Sequence, residues 1–493
     1  MGTPDLLPRS ATSQDERNAL LARLGLPLLL LTALAVSLRP GLQSDTYWHL
    51  ASGRWMLEER AWLKVDVFSW TVEGRAWPRP GLIADIVMVR PFEMFGAPLL
   101  VTVVSVLFVG AFLLLFTSFE ASPAVMIGVG VLCILASIVV ASARPQVALL
   151  PLTAYALVVL DREHRSGGSR LLWTLPLVAV VWVNTHGTFV VLFVLLGCHG
   201  LAMLIDRTRG GYAEWQHRFS RLLAVGLLVT VATLVNPFGA QMLTYPFEYM
   251  QVEAHHGILD EWRRPVPTDL RSWPVYALIA TAVFALLRPR QPRRTVDIVL
   301  LLVFGGLALT AVRHSAVFAI VAYPILARLL SGGPAVSWTE VWVAARPSER
   351  RIETGVLAVV LLLALVVSAP ALTPGGNDRA TGELMPTTAA QAVVEGALPG
   401  RLWNSYDVGG YVIWEGWPEV LVSMDSRADL YGDELVREHI AEWRGERNAP
   451  AAFDSRGIQV VLVERQAPLV QQLEEAGWRL VETDELGVVL ISP

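Results

Sequence analysis

The chain has 493 residues, of which 54% are hydrophobic and only 17% are charged, and its mean hydropathy is +0.48. A soluble domain carries about 25% charged residues, so this composition excludes a soluble enzyme, and it also excludes a disordered chain, which has low hydrophobicity. The two cysteines exclude a disulfide scaffold and a cysteine-rich zinc or iron–sulfur site.

The net charge of −5 is unevenly distributed along the chain. Residues 371–493 contain 20 acidic residues and nine arginines, a net charge of −11, whereas the preceding 370 residues carry a net charge of +6. This split predicts a weakly basic membrane part followed by an acidic part in water. The acidic balance argues against a nucleic-acid partner, which needs a basic surface.

Eleven apolar runs predict membrane-spanning helices, because a span needs about 20 mostly apolar residues. They cover residues 19–38, 97–118, 123–143, 146–161, 171–186, 188–205, 221–238, 273–288, 296–312, 315–331 and 352–370. Residues 1–18 are then an N-terminal tail, and residues 19–370 form a transmembrane domain. We interpret the first run as a span and not as a cleaved signal peptide, since many further spans follow it.

Arginine placement predicts the orientation of these spans. Clusters of arginine follow every second span and also occupy the N-terminal segment, which places those segments in the cytoplasm. An odd number of spans then puts residues 371–493 outside the cytoplasm. Residues 371–385 are predicted to be a linker, and residues 386–493 a small soluble α/β domain. In that domain we expect strands at 420–424, 460–464, 479–482 and 488–491, and helices at 433–444 and 468–476.

A long outer loop, residues 39–96, separates the first two predicted spans. Its opening segment predicts a helix with Ser44 or Asp45 as N-cap, and Asp45 and His49 then share one face because they are four residues apart. Trp48, Trp55 and Trp62 follow at intervals of seven, which predicts a helix lying in the outer membrane interface. A second amphipathic segment, residues 81–95, is also predicted to lie on the outer surface.

Most of the unusual polar residues near a predicted membrane boundary fall on the outer side. They are Asp45, His49, Arg144, Asn184, His186, Asn236, His255, His256, Asp260, Glu261, Arg313 and His314. Any one of them is explained by a helix cap or a lipid headgroup contact. The convergence of the whole set on one face favours a functional site, since ionisable groups at membrane depth are costly.

Several sequence motifs resemble those of GT-C integral-membrane glycosyltransferases, and more closely a group of bacterial multi-pass proteins usually placed with that class. The two most specific matches are Asp45–Trp55 and Asp425–Gly432. Further matches are Asp66–Thr71, Arg144–Gln146, Asn184–Gly187, Asn236–Gly239, Glu261–Trp262, Arg313–His314 and Tyr406–Tyr411. The resemblance covers nearly the whole chain and implies a GT-C-like α-helical polytopic protein of the bacterial inner membrane, involved in cell-envelope chemistry.

The chain departs from that pattern at one place. Relatives carry a His-Glu pair shortly after the Gly-Arg-x-Trp of the first loop, whereas residues 78–81 here read Pro-Arg-Pro-Gly. The departure puts the activity or the substrate of this protein in doubt.

The resemblance implies transfer of a sugar from a polyprenyl-phosphate donor to an acceptor at the extracytoplasmic face. Phosphate is already a good leaving group, so the chemistry needs one base near the acceptor hydroxyl and cations on the phosphate. Asp45 is the predicted base, or a ligand to a divalent metal, and Arg144 and Arg313 are predicted to hold the phosphate. The remaining candidates for substrate or phosphate binding are His49, Asn184, His186, Glu261 and His314.

The sequence leaves three questions open. It does not decide whether His49, His186 and His314 bind a divalent metal or donate to phosphate, and it identifies neither the sugar nor the acceptor.

A transporter or lipid flippase is the first alternative function. Polar residues lie at the outer ends of the predicted spans and not at mid-span, which favours the enzyme. A catalytically inactive scaffold for envelope assembly is the second, and the missing His-Glu pair supports it.

Overall fold

The computed structural model describes residues 13–208, 215–252, 260–288, 292–331, 347–396, 398 and 400–493. Its first part is helical. The helices are α1 (Ser13–Ser37), α2 (Ser44–Glu59), α3 (Leu82–Phe95), α4 (Ala97–Ser118), α5 (Pro123–Ser137), α6 (Leu149–Ser166), α7 (Leu175–Val183), α8 (Val190–Thr208), α9 (Trp215–Thr233), α10 (Gln241–Met250), α11 (Trp273–Leu287), α12 (Thr295–Ala308), α13 (His314–Leu330) and α14 (Pro347–Ser368).

Five helical stretches are long and apolar enough to cross a membrane, and the chain is a membrane protein. They are Ala97–Ser118, Pro123–Val140, Gly187–Arg207, Leu270–Leu287 and Pro347–Leu372. Four shorter apolar helices accompany them, at Arg23–Ser37, Arg170–Val183, Thr295–Ala308 and His314–Leu330. Each of the eleven predicted runs overlaps a helix, whereas the number of helices that cross the membrane stays a prediction.

A buried ion pair joins the first and last of the apolar helices. Arg23 Nε of α1 donates to Glu353 Oε1 of α14 at 2.8 Å, and both side chains are at most 10% exposed. A charge of either sign is costly in an apolar surrounding unless it is paired. The pair therefore fixes how α14, whose apolar stretch is otherwise largely exposed, docks against the bundle.

The C-terminal part contains short helices and one sheet. The helices are α15 (Pro374–Gly382), α16 (Thr387–Glu395), α17 (Gly409–Gly416), α18 (Ala428–Tyr431), α19 (Asp433–Trp443), α20 (Ala449–Arg456) and α21 (Pro468–Glu475). The strands are β1 (Arg401–Asn404), β2 (Ile458–Glu464), β3 (Arg479–Thr483) and β4 (Gly487–Ile491), in the order β1-β2-β4-β3. β1 is parallel to β2, and the other pairs are antiparallel.

One sequence expectation for this part is wrong in detail. The predicted strand at 420–424 is not in the sheet; Val422 instead forms an isolated bridge with Ser69 of the outer loop, and the sheet's first strand is Arg401–Asn404. The predicted linker contains α15, and Asn377 and Thr381 of that helix accept hydrogen bonds from the backbone of residues 41 and 42. Both segments are recruited by the outer loop, a tertiary contact that local sequence patterns do not encode.

The outer loop and the C-terminal part share one hydrophobic core. Leu63 and Phe68 of the loop are buried in the same cluster as Val422 and Leu462. Side-chain hydrogen bonds also cross between the two, including Thr71 Oγ1 to the Ser423 carbonyl at 2.6 Å and Trp417 Nε1 to the Val67 carbonyl at 3.0 Å. The C-terminal part is therefore packed directly onto the outer loop.

A close backbone contact brings α17 to the start of α2. A Cβ on Gly410 would lie 2.2 Å from the carbonyl oxygen of Ser44, so only glycine fits there. The Gly410 amide then donates to Ser44 Oγ at 3.1 Å. This contact sets the position of the first turn of α2, which carries Asp45.

The structure corrects the predicted role of α2. Gln43 occupies the N-cap position without a side-chain cap bond, and the helix ends at Glu59, so Trp62 lies beyond it. Trp48 is 9% exposed and stacks on His49, with 3.6 Å between ring centroids. Most of α2 is covered by protein because α3 and the C-terminal part pack on it, and the tryptophans do not form a stripe facing the membrane interface.

A charged network is enclosed where the outer loop meets the C-terminal part. Arg427 is fully enclosed, its Nη1 lies 2.8 Å from Asp66 Oδ1, and its Nη2 lies 2.6 Å from Asp425 Oδ2. Tyr431 Oη also donates to Asp425 Oδ2 at 2.7 Å. Asp425 is fully buried, and Asp429 accepts a hydrogen bond from Trp77 Nε1 at 3.2 Å.

We expect Arg427→Met to destabilise the contact between the outer loop and the C-terminal part by about 3–5 kcal/mol, since it leaves two buried carboxylates without their cation. The measurement is the denaturation midpoint of the purified full chain, followed by tryptophan fluorescence. The matched control is Arg437→Met, which removes an exposed cation paired with Asp433 on α19 and should change stability by less than about 0.5 kcal/mol. Equal effects of the two variants would contradict a structural role for the enclosed network.

Candidate functional site

Four of the predicted site residues meet through Arg144. Its Nη1 donates to Asp45 Oδ2 at 2.5 Å and its Nη2 to Glu261 Oε2 at 3.2 Å. Arg313 Nη1 lies 3.6 Å from the other oxygen of Glu261. Asp45 comes from the first turn of α2, Arg144 from the loop after α5, Glu261 from a short 3-10 turn, and Arg313 from the residue before α13. The structure therefore assembles residues up to 268 positions apart in the sequence.

The four side chains are partly accessible. The exposed fraction is 26% for Asp45, 20% for Glu261, 13% for Arg144 and 10% for Arg313. Two cations and two anions therefore face each other in a site that excludes most water, where charge–charge interactions are stronger than in bulk solvent. Arg313 also lies over the ring of Trp262, with 4.6 Å to the ring centroid, so an aromatic face supports one of the two guanidinium groups.

The C-terminal part supplies a residue that sequence reasoning missed. Ser426 Oγ donates a hydrogen bond to Asp45 Oδ1, and Trp48 Nε1 donates to Ser426 Oγ at 3.0 Å. Tyr406 Oη donates to the carbonyl of Ser426 at 2.9 Å. Ser426 lies inside the Asp425–Gly432 motif, so this motif is the sequence feature that could have identified Ser426 as a site residue. Both carboxylate oxygens of Asp45 are thus engaged, one by Arg144 and one by Ser426.

His49 is held by a different set of residues. Its Nδ1 is 2.6 Å from Asp85 Oδ1, and Asp85 Oδ2 accepts a hydrogen bond from Arg79 Nη2. Asp85 and Arg79 are both buried, at 0% and 3% exposure. Arg79 belongs to the Pro78–Gly81 segment in which the family's His-Glu pair is missing. The missing pair is evident in the sequence, whereas the burial of the Arg79 cation in this segment is visible only in the structure.

His186 lies in the turn between α7 and α8. Its Nδ1 accepts a hydrogen bond from the Thr188 amide at 3.2 Å. It lies within electrostatic range of His49 and of three of the four charged residues, Arg313, Arg144 and Glu261. The structure therefore places His186 near the site.

Asn184 and His314 make contacts of a structural kind. Asn184 Nδ2 donates to the carbonyls of Val180 and Val235 at 2.8 and 2.7 Å, which ties the ends of α7 and α9 together. His314 Nδ1 lies 3.1 Å from the carbonyl of Leu307. Their predicted role in substrate binding stays a prediction.

Asn236, another residue predicted on the outer side, makes local contacts. Asn236 closes its own turn, because its side-chain oxygen accepts from the amide of Phe238 at 2.7 Å. His255 and His256 lie outside the described residues.

The residues that the structure describes do not form a metal site. In the described ranges no group of three His, Cys, Asp or Glu side chains is placed to hold a metal ion. Both carboxylate oxygens of Asp45 are occupied, by Arg144 and by Ser426. We therefore derive no step through a metal.

A cavity of about 310 Å³ lies at the other end of the bundle and is separate from this site. Its lining includes Arg294 and Arg328, but these arginines are already paired with Asp161 and Asp297. The two arginines that border the cavity are therefore each paired with a carboxylate.

Glu261 is strongly influenced by its two arginines. Burial by itself would raise the pKa of the Glu261 carboxyl, but the positive charges of Arg144 and Arg313 outweigh burial and lower the pKa to about 2. The ordinary value is 4.5. A lowered pKa in the folded state stabilises the fold above pH 4.5, and this contribution is lost as the pH falls from 4.5 to 2.

We expect the stability of the wild-type chain to fall by up to about 3 kcal/mol between pH 4.5 and 2 because of this one carboxyl. The Glu261→Gln variant lacks the titrating group, so its stability should change less over the same interval. The measurement is the thermal midpoint of both proteins at pH 5, 4, 3 and 2. Parallel pH profiles for the two proteins would rule out ion pairing of Glu261 with Arg144 and Arg313.

Comparison with solved structures identifies the fold. No family model and no curated protein matches the chain. ArnT from Cupriavidus metallidurans in the apo state is similar with a TM-score of 0.52 and 16% identity over 93% of this chain and 96% of that one. ArnT bound to undecaprenyl phosphate gives a TM-score of 0.51 and 15% identity over 98% of both chains. The archaeal oligosaccharyltransferase AglB from Archaeoglobus fulgidus, in complex with an inhibitory peptide and a dolichol-phosphate, gives a TM-score of 0.52 and 10% identity over 93% of this chain and 73% of that one. The chain therefore has the fold of the GT-C membrane glycosyltransferases.

Proposed function

We propose that this protein transfers a sugar from a polyprenyl-phosphate donor to an acceptor at the extracytoplasmic face of the bacterial inner membrane. The observation that carries the proposal is the pair of arginines, Arg144 and Arg313, on the two oxygens of one partly exposed carboxylate. Two neighbours in fold bind a polyprenyl phosphate, undecaprenyl phosphate in ArnT and dolichol-phosphate in AglB. A carboxylate and a phosphate present similar oxygen acceptors to a guanidinium group.

In the proposed reaction Arg144 and Arg313 bind the phosphate of the donor. The leaving phosphate gains negative charge as the bond to the sugar breaks, and two guanidinium groups stabilise that charge. Glu261 keeps the two arginines a few ångströms apart before the donor binds, since it contacts both. Trp262 lies beneath Arg313 and holds its guanidinium plane.

The sequence predicts Asp45 as the base for the acceptor hydroxyl, and the contacts of this residue allow two roles. It has the largest exposed fraction of the four charged residues, at 26%. Its contact with Arg144 gives it a second role, which is to orient the guanidinium group. The two roles predict different results for Asp45→Asn. The asparagine amide lacks the basicity that a proton acceptor needs, but it still accepts a hydrogen bond from Arg144 and can orient it.

The C-terminal part closes one side of the proposed site. Ser426 contacts Asp45, and the region around it is fixed to the outer loop by the Arg427 network. We therefore propose that residues 386–493 lie outside the cytoplasm together with the outer loop. Acceptor recognition is the role that this placement supports, because the C-terminal part borders the site from the aqueous side.

An inactive envelope-assembly scaffold is the second candidate function. It is favoured by the Pro78–Gly81 segment, where Arg79 occupies the place of the missing His-Glu pair and is neutralised by Asp85. A scaffold of this kind need not bind or turn over a polyprenyl phosphate.

We expect the purified full chain in lipid nanodiscs to bind undecaprenyl phosphate, and Arg144→Gln or Arg313→Gln to weaken binding by about 10- to 100-fold, the value of one charge-assisted hydrogen bond. Native mass spectrometry measures the affinity. The control is Arg90→Gln, because Arg90 is an exposed cation of the same outer loop, 65% accessible and paired with Glu93. It should leave the affinity unchanged.

Turnover is measured as release of undecaprenyl phosphate from a panel of its pentosyl and hexosyl derivatives, with a membrane extract as the source of acceptor. Wild type should release it, and both arginine variants should be impaired. Binding without release by any donor would support the scaffold. Affinity that is unaffected by both arginine substitutions would refute the proposed site.

A further inference from the structure

Three buried or nearly buried side chains, Arg79, Asp85 and His49, are linked in series. Arg79 pairs with one oxygen of Asp85, and the other oxygen of Asp85 is 2.6 Å from His49 Nδ1. Asp85 is fully enclosed, whereas the His49 side chain keeps 10% of its surface exposed. This series therefore runs from the protein interior towards an accessible imidazole.

Close packing of two helices produces this geometry. A Cβ on Gly53 would lie 2.3 Å from the carbonyl oxygen of Asp85, so α2 and α3 approach each other as only glycine allows. Gly53 is one turn after His49 on α2, and the approach brings the Asp85 side chain to the imidazole. Trp48 stacks on His49, and Trp77 lies 4.3 Å from the Arg79 guanidinium carbon. Two indole rings thus border this series of side chains.

The contact with Asp85 determines which ring nitrogen of His49 is basic. A carboxylate accepts hydrogen bonds and does not donate them, so Nδ1 of the neutral imidazole carries the proton. Nε2 is then left with its lone pair. Within the described residues, His49 Nε2 has no hydrogen-bond partner. The atom is also not fully enclosed by protein. His49 therefore presents an accessible basic nitrogen.

The His49 residue is on the side of α2 that carries Asp45 of the proposed site. His49 is one turn after Asp45 on the same face of α2. It is also an electrostatic neighbour of His186, together with Arg144, Glu261 and Arg313. Among the described residues, the charged and titratable groups nearest to His49 are thus Asp85 of α3, Arg79 of the preceding loop, His186 of the α7–α8 turn, and Asp45 of its own helix.

We propose that His49, and not Asp45, accepts the proton of the acceptor hydroxyl, and that Asp85 is the positioning residue that fixes the imidazole. The inference rests on the proposed transferase function. In the step, the acceptor oxygen forms a bond to the anomeric carbon of the sugar as the bond from that carbon to the phosphate oxygen breaks. The hydroxyl proton goes to His49 Nε2, and the bonding electron pair leaves with the lipid phosphate.

The engagement of Asp45 supports this division of roles. Both of its oxygens already accept hydrogen bonds, from Arg144 and Ser426. An acid that orients the phosphate-binding arginine is best kept ionised, whereas a base must gain a proton during the reaction. His49 has the free nitrogen that this transfer needs, and the negative charge of Asp85 stabilises the imidazolium that forms.

The test compares His49→Gln with Asp45→Asn in the turnover assay. We expect His49→Gln to lower kcat by about 10²- to 10⁴-fold, to abolish the acidic limb of the pH–rate profile, and to leave the affinity for undecaprenyl phosphate within twofold. Asp45→Asn should keep the acidic limb. Added imidazole should restore part of the activity to His49→Gly, which a purely structural role of His49 would not allow.

Substitution of Asp85 and substitution of Arg79 should shift the acidic limb of the pH–rate profile in opposite directions. Asp85→Asn removes the anion that stabilises imidazolium, so the acidic limb should move to lower pH with a lower kcat. Arg79→Met removes the cation that competes for Asp85, so the limb should move to higher pH. Because Asp85→Asn leaves a buried arginine unpaired, the double variant Arg79→Met/Asp85→Asn is measured as well, and it should also have a lower kcat than wild type.

The failures of the two proposals are distinguishable. Full activity of His49→Gln, with loss of the acidic limb in Asp45→Asn, would overturn the role of His49 and leave the transferase function standing. If wild type neither binds undecaprenyl phosphate nor releases it from any donor, the transferase function fails, and the role of His49 fails with it.

Discussion

The ion pairs of Arg144 are the contact on which the candidate site of this protein depends. Charged groups beside a membrane lose solvation, and an unpaired one costs several kcal/mol. Arg144 lies just beyond α5, and Asp45 and Glu261 satisfy it from two other parts of the chain. The same pairing brings the outer loop, the turn at Glu261 and the start of α13 to one place. A site with two arginines on one accessible carboxylate therefore follows from the requirement that these charges be paired.

The shared core of the outer loop and the C-terminal part has a functional consequence. Phe68 and Val422 are buried in one hydrophobic cluster, and Arg427 joins Asp66 to Asp425 within it. Because of this packing, the Ser426 side chain reaches Asp45. The C-terminal part is thus a wall of the candidate site.

Much of this arrangement was predictable from sequence, for physical reasons. Apolar runs predict the bundle helices because apolar surface must leave water, and the i, i+4 spacing of Asp45 and His49 predicts their common face on α2. The predicted convergence of Asp45, Arg144, Glu261 and Arg313 also agrees with the structure. Contacts between distant segments were not predictable: the recruitment of 420–424 by the outer loop, the burial of Asp425, and the Asp85–Arg79 pair all depend on tertiary packing. The tryptophan spacing of α2 was misinterpreted for the same reason, since protein and not lipid covers Trp48.

The central claim is that Arg144 and Arg313 form a binding site for a lipid phosphate. The most direct measurement is an experimental structure of the full chain with undecaprenyl phosphate in a lipid nanodisc. The account predicts phosphate oxygens within about 3 Å of guanidinium nitrogens of both arginines, with Glu261 moved away from at least one of them. A phosphate bound elsewhere, with the contacts between Glu261 and both arginines intact, would contradict it.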